Sequence, residues 1–272
     1  MVPQELPLPL SLMRMGVKQK NPIWAAMPCY TELPCLPLEL TMRHVGPFQR
    51  LSGLLAVVAG PTAWASLLVG LSVVNFNFEQ FSDPRSILAL ESTAVPLLRW
   101  SFFLSMFGSY LLLIPLAICL GSILGSPGDP TVRFYTFCGL IYLVLGAVGA
   151  AILAAVWPSL ITLAGRTSSQ EEGTILIAFT TATQIAEDGL QGVVQNLAGG
   201  IWLAGIGSLL WQKRRILSGF TIALGVILLV NTLGNLIEYE ALSLIGLTAT
   251  ILLVPVWSVC AGLVVASSPS DR

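Results

Sequence analysis

Charge is what this sequence has least of. Of its 272 residues, 13 are basic and 14 acidic, or 10% in all, against about 25% in a soluble domain. No basic surplus exists to neutralise phosphates, so nucleic acid is excluded as a partner. Histidine is nearly absent. His44, the single one, precedes the first long apolar run, which excludes a His-based triad or a His metal site within the body of the chain. Five cysteines at irregular spacing do not make a disulfide framework. Cys29 and Cys35 have no second pair nearby for zinc, and Cys119, Cys138 and Cys260 stand alone in apolar runs as core residues. No phosphate-binding glycine loop and no strand-type alternation occur. The sequence therefore carries no catalytic, cofactor-binding or metal-binding motif.

What is present is apolar: 55% of residues are hydrophobic, and the mean hydropathy is +0.82. A water-soluble globule of this size could not bury that much apolar surface. About 20 mostly apolar residues cross ~30 Å of hydrocarbon, and six such stretches lie at about 51–74, 101–124, 134–157, 189–211, 216–237 and 241–266. Without strand alternation, helices are the only way to satisfy the backbone in lipid. The expected fold is an all-α bundle of six spans, with the lipid bilayer as its first partner. Pro61, Pro115 and Pro255 fall inside spans and suggest kinks. Gly146 with Ala150, Gly200 with Ala204, and Gly121 with Gly125 permit close helix packing.

The few charges are partitioned. Arg14, Lys18, Lys20, Arg43, Arg50, Arg133, Lys213, Arg214, Arg215 and Arg272 share the side of the N-terminus, and only Arg85, Arg99 and Arg166 face the other. By the positive-inside bias, both termini are expected in the cytoplasm. Nine of the 14 acids lie on the outer side. Trp100, Trp157, Trp211 and Tyr239 stand at predicted span ends, where interfacial aromatics are expected.

Outside the spans, residues 1–49 hold eight of the 17 prolines and read as an irregular tail. An alternative start near Met42, just ahead of a short basic lead into the first span, fits the same segment. Residues 267–272 form a cytoplasmic tail. In the first outer loop, Asp83-Pro84 is an N-cap followed by proline at N1, opening a short helix over 84–91. Ser168 with Glu171, and Ser169 with Glu172, fit capping boxes. A helix from Ser169 to Trp211 would be about 63 Å long, twice the hydrocarbon thickness. Residues 170–188 are therefore expected to lie on the outer surface as a separate helix, kinked near Gly189.

Two polar stripes mark the only candidate site. Gln184, Asp188, Gln191 and Gln195 are spaced i, i+4, i+7 and i+11 on the fourth span, with Asn196 at their edge. Asn231, Asn235 and Glu238 repeat i, i+4, i+7 on the fifth. A tight basic turn joins the two spans. Equal distances from it pair Asn196 with Asn231, Gln191 with Asn235, and Asp188 with Glu238. The groups either act as interhelical glue or line an outward-facing vestibule for a small polar or cationic ligand.

The entry Arg50-Leu51-Ser52-Gly53-Leu54-Leu55, the long acidic outer loop, and the glycine-rich fourth span leading through Trp211-Gln212-Lys213-Arg214-Arg215 into Ile216-Leu217-Ser218-Gly219 have a counterpart. Over residues 50–266 the chain resembles an uncharacterised group of bacterial six-span membrane proteins, a domain of unknown function (DUF four-three-eight-six). The resemblance implies a topology and no activity. Two functional expectations stand: a bacterial inner-membrane protein that binds, senses or transports a small polar or cationic ligand, or a non-catalytic scaffold packed against a membrane-protein partner.

Overall fold

The computed structural model describes residues 45–77, 83–125, 128–166 and 171–267. Ser168, Ser169, nearly all of the Pro-rich tail and the last five residues lie outside that set. The described residues form an all-α bundle built from α1 (Val45–Val73), α2 (Pro84–Leu88), α3 (Val95–Ser105), α4 (Ile114–Leu124), α5 (Pro130–Ala164), α6 (Glu172–Thr183), α7 (Asn196–Leu210), α8 (Arg215–Leu236) and α9 (Glu240–Ser267). Six helical runs are long and apolar enough to cross a membrane: Gly46–Val73, Val95–Leu124, Pro130–Ala164, Glu172–Leu210, Arg215–Leu236 and Ala241–Ser267. The chain is a multi-pass membrane protein.

The burial pattern follows from the solvent. Leu54, Leu68, Val144, Leu233, Ile245 and Leu252 are exposed, forming an apolar exterior that water would not tolerate and lipid does. Small and polar residues face inward instead, because helices in lipid associate through close packing and hydrogen bonds. Ser66 and Ser101 exchange hydroxyl-to-carbonyl bonds of 2.9 and 3.0 Å between the first and second spans. Gln49 donates to the Val265 carbonyl at 3.0 Å, tying the start of the first span to the end of the sixth. Gly146, Gly200 and Gly121 all face side chains of this same chain: Tyr110, Leu229 and Thr136 respectively.

Two spans leave α geometry. In the second, a π turn (Met106–Tyr110) is followed by a 3₁₀ turn (Leu111–Leu113). The cause is Pro115, in the first turn of α4. Its ring has no N–H to donate and clashes with the carbonyl of Leu111, four residues back. In the fourth, residues Gln184–Gln195 wind as a π-helix between α6 and α7. Helical winding thus runs from Glu172 to Leu210 through Gly189, and α6 continues the fourth span.

That continuation has a partner. Asp129 caps the third span by accepting from Thr131 N–H at 2.9 Å ahead of Pro130, and the helix runs on to Ala164. Ile175 and Phe179 of α6 pack against Leu153, Trp157 and Ile161 of α5, with Ile87 and Leu88 of α2 beneath. Trp157 is consequently a core residue, 3% exposed, and not an interfacial anchor, because its helix extends seven residues beyond it. Trp100, Trp211 and Tyr239 are exposed. The short helix α2 starts as its sequence dictates. The Asp83 carboxylate accepts from the backbone of Arg85 and Ser86 and, at 2.6 Å, from the Ser86 hydroxyl, which together hold it below the usual carboxylate range. Here α5 and α6 pack side by side as a hairpin, and we refer to this end of the bundle, opposite the Lys213–Arg215 turn, as the hairpin end.

Candidate functional site

The hairpin of α7 and α8 has the register that distance from the basic turn dictates. Asn235 Nδ2 donates to the Gly192 carbonyl at 3.2 Å, one residue from the Gln191 pairing expected. Around that contact a small network forms. Asn235 Nδ2 also donates to Asn231 Oδ1 at 3.1 Å, Ser243 Oγ donates to Asn235 Oδ1 at 2.7 Å, and Asn196 Nδ2 reaches the Gly192 carbonyl at 3.3 Å. These groups satisfy one another and bind the fourth, fifth and sixth spans together.

The remaining predicted residues do not join that network. Winding is the reason. With i→i+5 bonding, each residue advances through less than the ~100° of an α-helix. Between Gln184 and Gln191 the deficit grows to roughly a quarter turn, and the single α-helical face divides. Gln184 and Asp188 are exposed, while Gln191 is half-buried and Gln195 is 3% exposed. Glu238 is also exposed, at a left-handed φ of 55° in the turn after α8. Gln191 Nε2 turns toward the third span and donates to the Gly146 carbonyl at 3.2 Å.

Gln195 sits deepest, among residues that the stripe pattern omits. Its amide lies beside the hydroxyls of Tyr110 and Tyr142 without a hydrogen bond to Oε1. Tyr110 ends the π turn of the second span, and Gln195 ends the π segment of the fourth. Two departures from α geometry therefore meet at one point near the middle of both spans. From there an aromatic column runs on from the partly buried Tyr110 into the core. Tyr110 meets Tyr142 edge-on at 6.2 Å, Tyr142 lies 6.0 Å from Trp202, and Trp202 meets Trp257 edge-on at 5.7 Å. Glycines let the rings in: a Cβ at Gly146 would strike the Tyr110 ring, and one at Gly199 the Tyr142 ring.

Pairing is incomplete here. Trp257 Nε1 donates to Thr221 Oγ1 at 2.9 Å. Gln195 Oε1 and Trp202 Nε1 are buried without a hydrogen-bond partner. Leaving such a group unmade costs about 1–3 kcal/mol. A deep amide facing two phenols, with an open acceptor, is an arrangement that can receive a donor from a small molecule.

Sequence reasoning reached Gln195 and missed Tyr110, Tyr142 and Trp202. The available signals were Pro115, which predicts a break four residues earlier, and the spacing of Gly139, Gly146 and Gly149 on the third span. Two surface grooves, of about 520 and 480 Å³, border the second and third spans at opposite ends, and neither includes a predicted polar residue. Compared with protein-family models, curated proteins and solved structures, the chain matches none of them. Fold and site together define the class, a six-span helical membrane protein with an amide–aromatic centre inside its bundle.

Proposed function

We propose that the protein binds a small polar ligand at the interior centre formed by Gln195, Tyr110 and Tyr142, entering from the hairpin end. The observation that carries this reading is the unpaired Oε1 of Gln195, 3% exposed where two non-α segments meet. π segments occur often at functional sites, and intramembrane polar groups are costly to keep without a use. The basic turn Lys213–Arg215 supports an inner-membrane orientation with both termini in the cytoplasm and the hairpin end outside. Asp188 and Glu238 are exposed.

A scaffold role draws on a different observation. Both polar atoms of Asn235 are engaged within the chain, by the Gly192 carbonyl, Asn231 and Ser243, which fits glue between three spans. That network accounts for the fifth-span stripe, and it leaves Gln195 unexplained.

Access is the test. In a background whose five cysteines are replaced by alanine, Gln195→Cys is treated with a small water-soluble thiol reagent from either side of a sealed vesicle. Labelling from the hairpin side, blocked from the other, is expected. A thiol unreactive from both sides overturns the proposal.

A further inference from the structure

The groove of about 480 Å³ lies between α4 and α5, at the basic-turn end of the bundle. We infer that it seats one phospholipid whose headgroup carries both a phosphate and a primary ammonium, of the phosphatidylethanolamine kind. Arg133 receives the phosphate, Asp129 receives the ammonium, and an acyl chain lies along the groove. It shares no residue with the interior centre, so neither reading depends on the other.

Close helix contact forms the floor. A Cβ on Gly121 would strike Thr136, and one on Gly125 would lie 2.8 Å from Val132, so α4 rests directly on α5. Polarity is graded along the length. Asp129 and Arg133 stand at the mouth, and Ile118, Phe137 and Leu140 line the far end, about 16 Å from Asp129 at 1.5 Å per residue. Phe137 and Ile118 are 61% and 43% exposed, open to an acyl chain. Depth agrees with this order. Arg133 and Ser159, which lines the groove at the hairpin end, are about 39 Å apart along α5. A bilayer with its headgroup regions is ~40–45 Å thick, against ~30 Å for the hydrocarbon alone. Arg133 therefore stands at headgroup level, and Leu140, about 10 Å further in, stands among acyl chains.

Charge selects the headgroup. Asp129 and Arg133 are spaced i, i+4, where a carboxylate and a guanidinium can pair on a helix. They do not pair. The Asp129 carboxylate accepts from Thr131 N–H at 2.9 Å, and among the described residues neither side chain forms an ion pair. One groove thus offers a cation and an anion to one occupant. Its hydroxyls are spent on their own helices: Ser122 donates to the Cys119 carbonyl at 2.8 Å and Thr136 to the Val132 carbonyl at 2.9 Å. A phosphate is left with Arg133 as its donor. A phosphoethanolamine group answers both charges. A phosphoglycerol group answers Arg133 and brings only negative charge to Asp129, and a choline group has no N–H for the carboxylate. The groove at the hairpin end holds Arg99 and no acid, so it lacks this selectivity.

Two lipids that differ only in the headgroup make the test. The full chain in detergent is titrated with dioleoyl phosphatidylethanolamine or dioleoyl phosphatidylglycerol, and bound lipid is counted by native mass spectrometry. The ethanolamine lipid is expected to fill one saturable site about threefold more tightly than the glycerol lipid, the scale of a partly exposed ion pair. Arg133→Gln is expected to lose that site. Asp129→Asn keeps the helix cap, since asparagine caps as well as aspartate, and is expected to bring the two lipids level. Arg99→Gln, in the other groove, is expected to change neither. Equal binding of the two lipids by the unaltered chain overturns the headgroup assignment. A site that survives Arg133→Gln, or that is lost equally in Arg99→Gln, overturns the groove assignment. Displacement of the lipid by free phosphoethanolamine at a comparable concentration overturns the acyl-chain seat.

Discussion

Trp157 and Trp202 are equally buried and differently served. Trp157 lies in the hairpin-end cluster, with Phe102 edge-on at 5.2 Å, Phe179 at 5.0 Å, and its Nε1 donating to Thr183 Oγ1 at 2.9 Å. Trp202 lies in the central column among rings of the same kind, and its Nε1 has no partner. The cluster behaves as a finished core in which each polar atom is answered where it is buried. The column stops short of that, although an unanswered group is costly wherever it is buried. Packing quality does not separate the two regions, since rings fit closely in both. What separates them is hydrogen-bond completeness, which is the property a binding centre must leave unfinished.

This contrast can be broken most forcefully in the cluster. Phe179→Ala should cost about 3–5 kcal/mol of stability, measured by reversible denaturation in mixed micelles. It opens a cavity against Trp157 and frees α6 from α5. A cost near zero would mean that the hairpin extension is not packed as described. Asn235→Leu comes next. It removes three hydrogen bonds, at roughly 0.6 kcal/mol each, and should lower stability by about 2 kcal/mol in the same assay.

The two tryptophans supply the smallest and sharpest comparison. Trp157→Phe and Trp202→Phe share the same loss of ring volume. Only the first also loses an indole hydrogen bond, worth about 1 kcal/mol. Trp157→Phe should therefore be the more destabilising by about that amount. Equal costs would place an undetected partner on Trp202 Nε1.

Much of the fold could be read from the residues. Six apolar runs gave six spans, Asp83-Pro84 gave the start of α2, and counting from the basic turn gave the α7–α8 register to within one residue. The same Asp-Pro signature at Asp129-Pro130 marks where the third span begins, four residues before the apolar run at Phe134. Its far end was hidden for a different reason. Hydropathy measures what lipid accepts and not how far a helix continues, so residues beyond Trp157 looked like a boundary. The site was legible in part. Periodicity assumed one winding throughout, and a π segment breaks that assumption by rotating Gln191 and Gln195 away from Gln184 and Asp188. Tyr110, Tyr142 and Trp202 carry no polar periodicity at all, and only the folded bundle brings them to Gln195.

Glue and binding centre make opposite demands on Gln195, and its stability effect separates them. If Oε1 is held open for a ligand, replacing Gln195 with methionine, which is close in shape, removes an unpaired acceptor. The ligand-free protein should then be as stable as before or up to about 1–3 kcal/mol more stable, while binding is lost. This is the familiar exchange of stability for a working site. The account predicts an unchanged or raised denaturation midpoint for Gln195→Met in detergent or nanodiscs. A fall comparable to that of Asn235→Leu would show that Gln195 is structural glue and would contradict it.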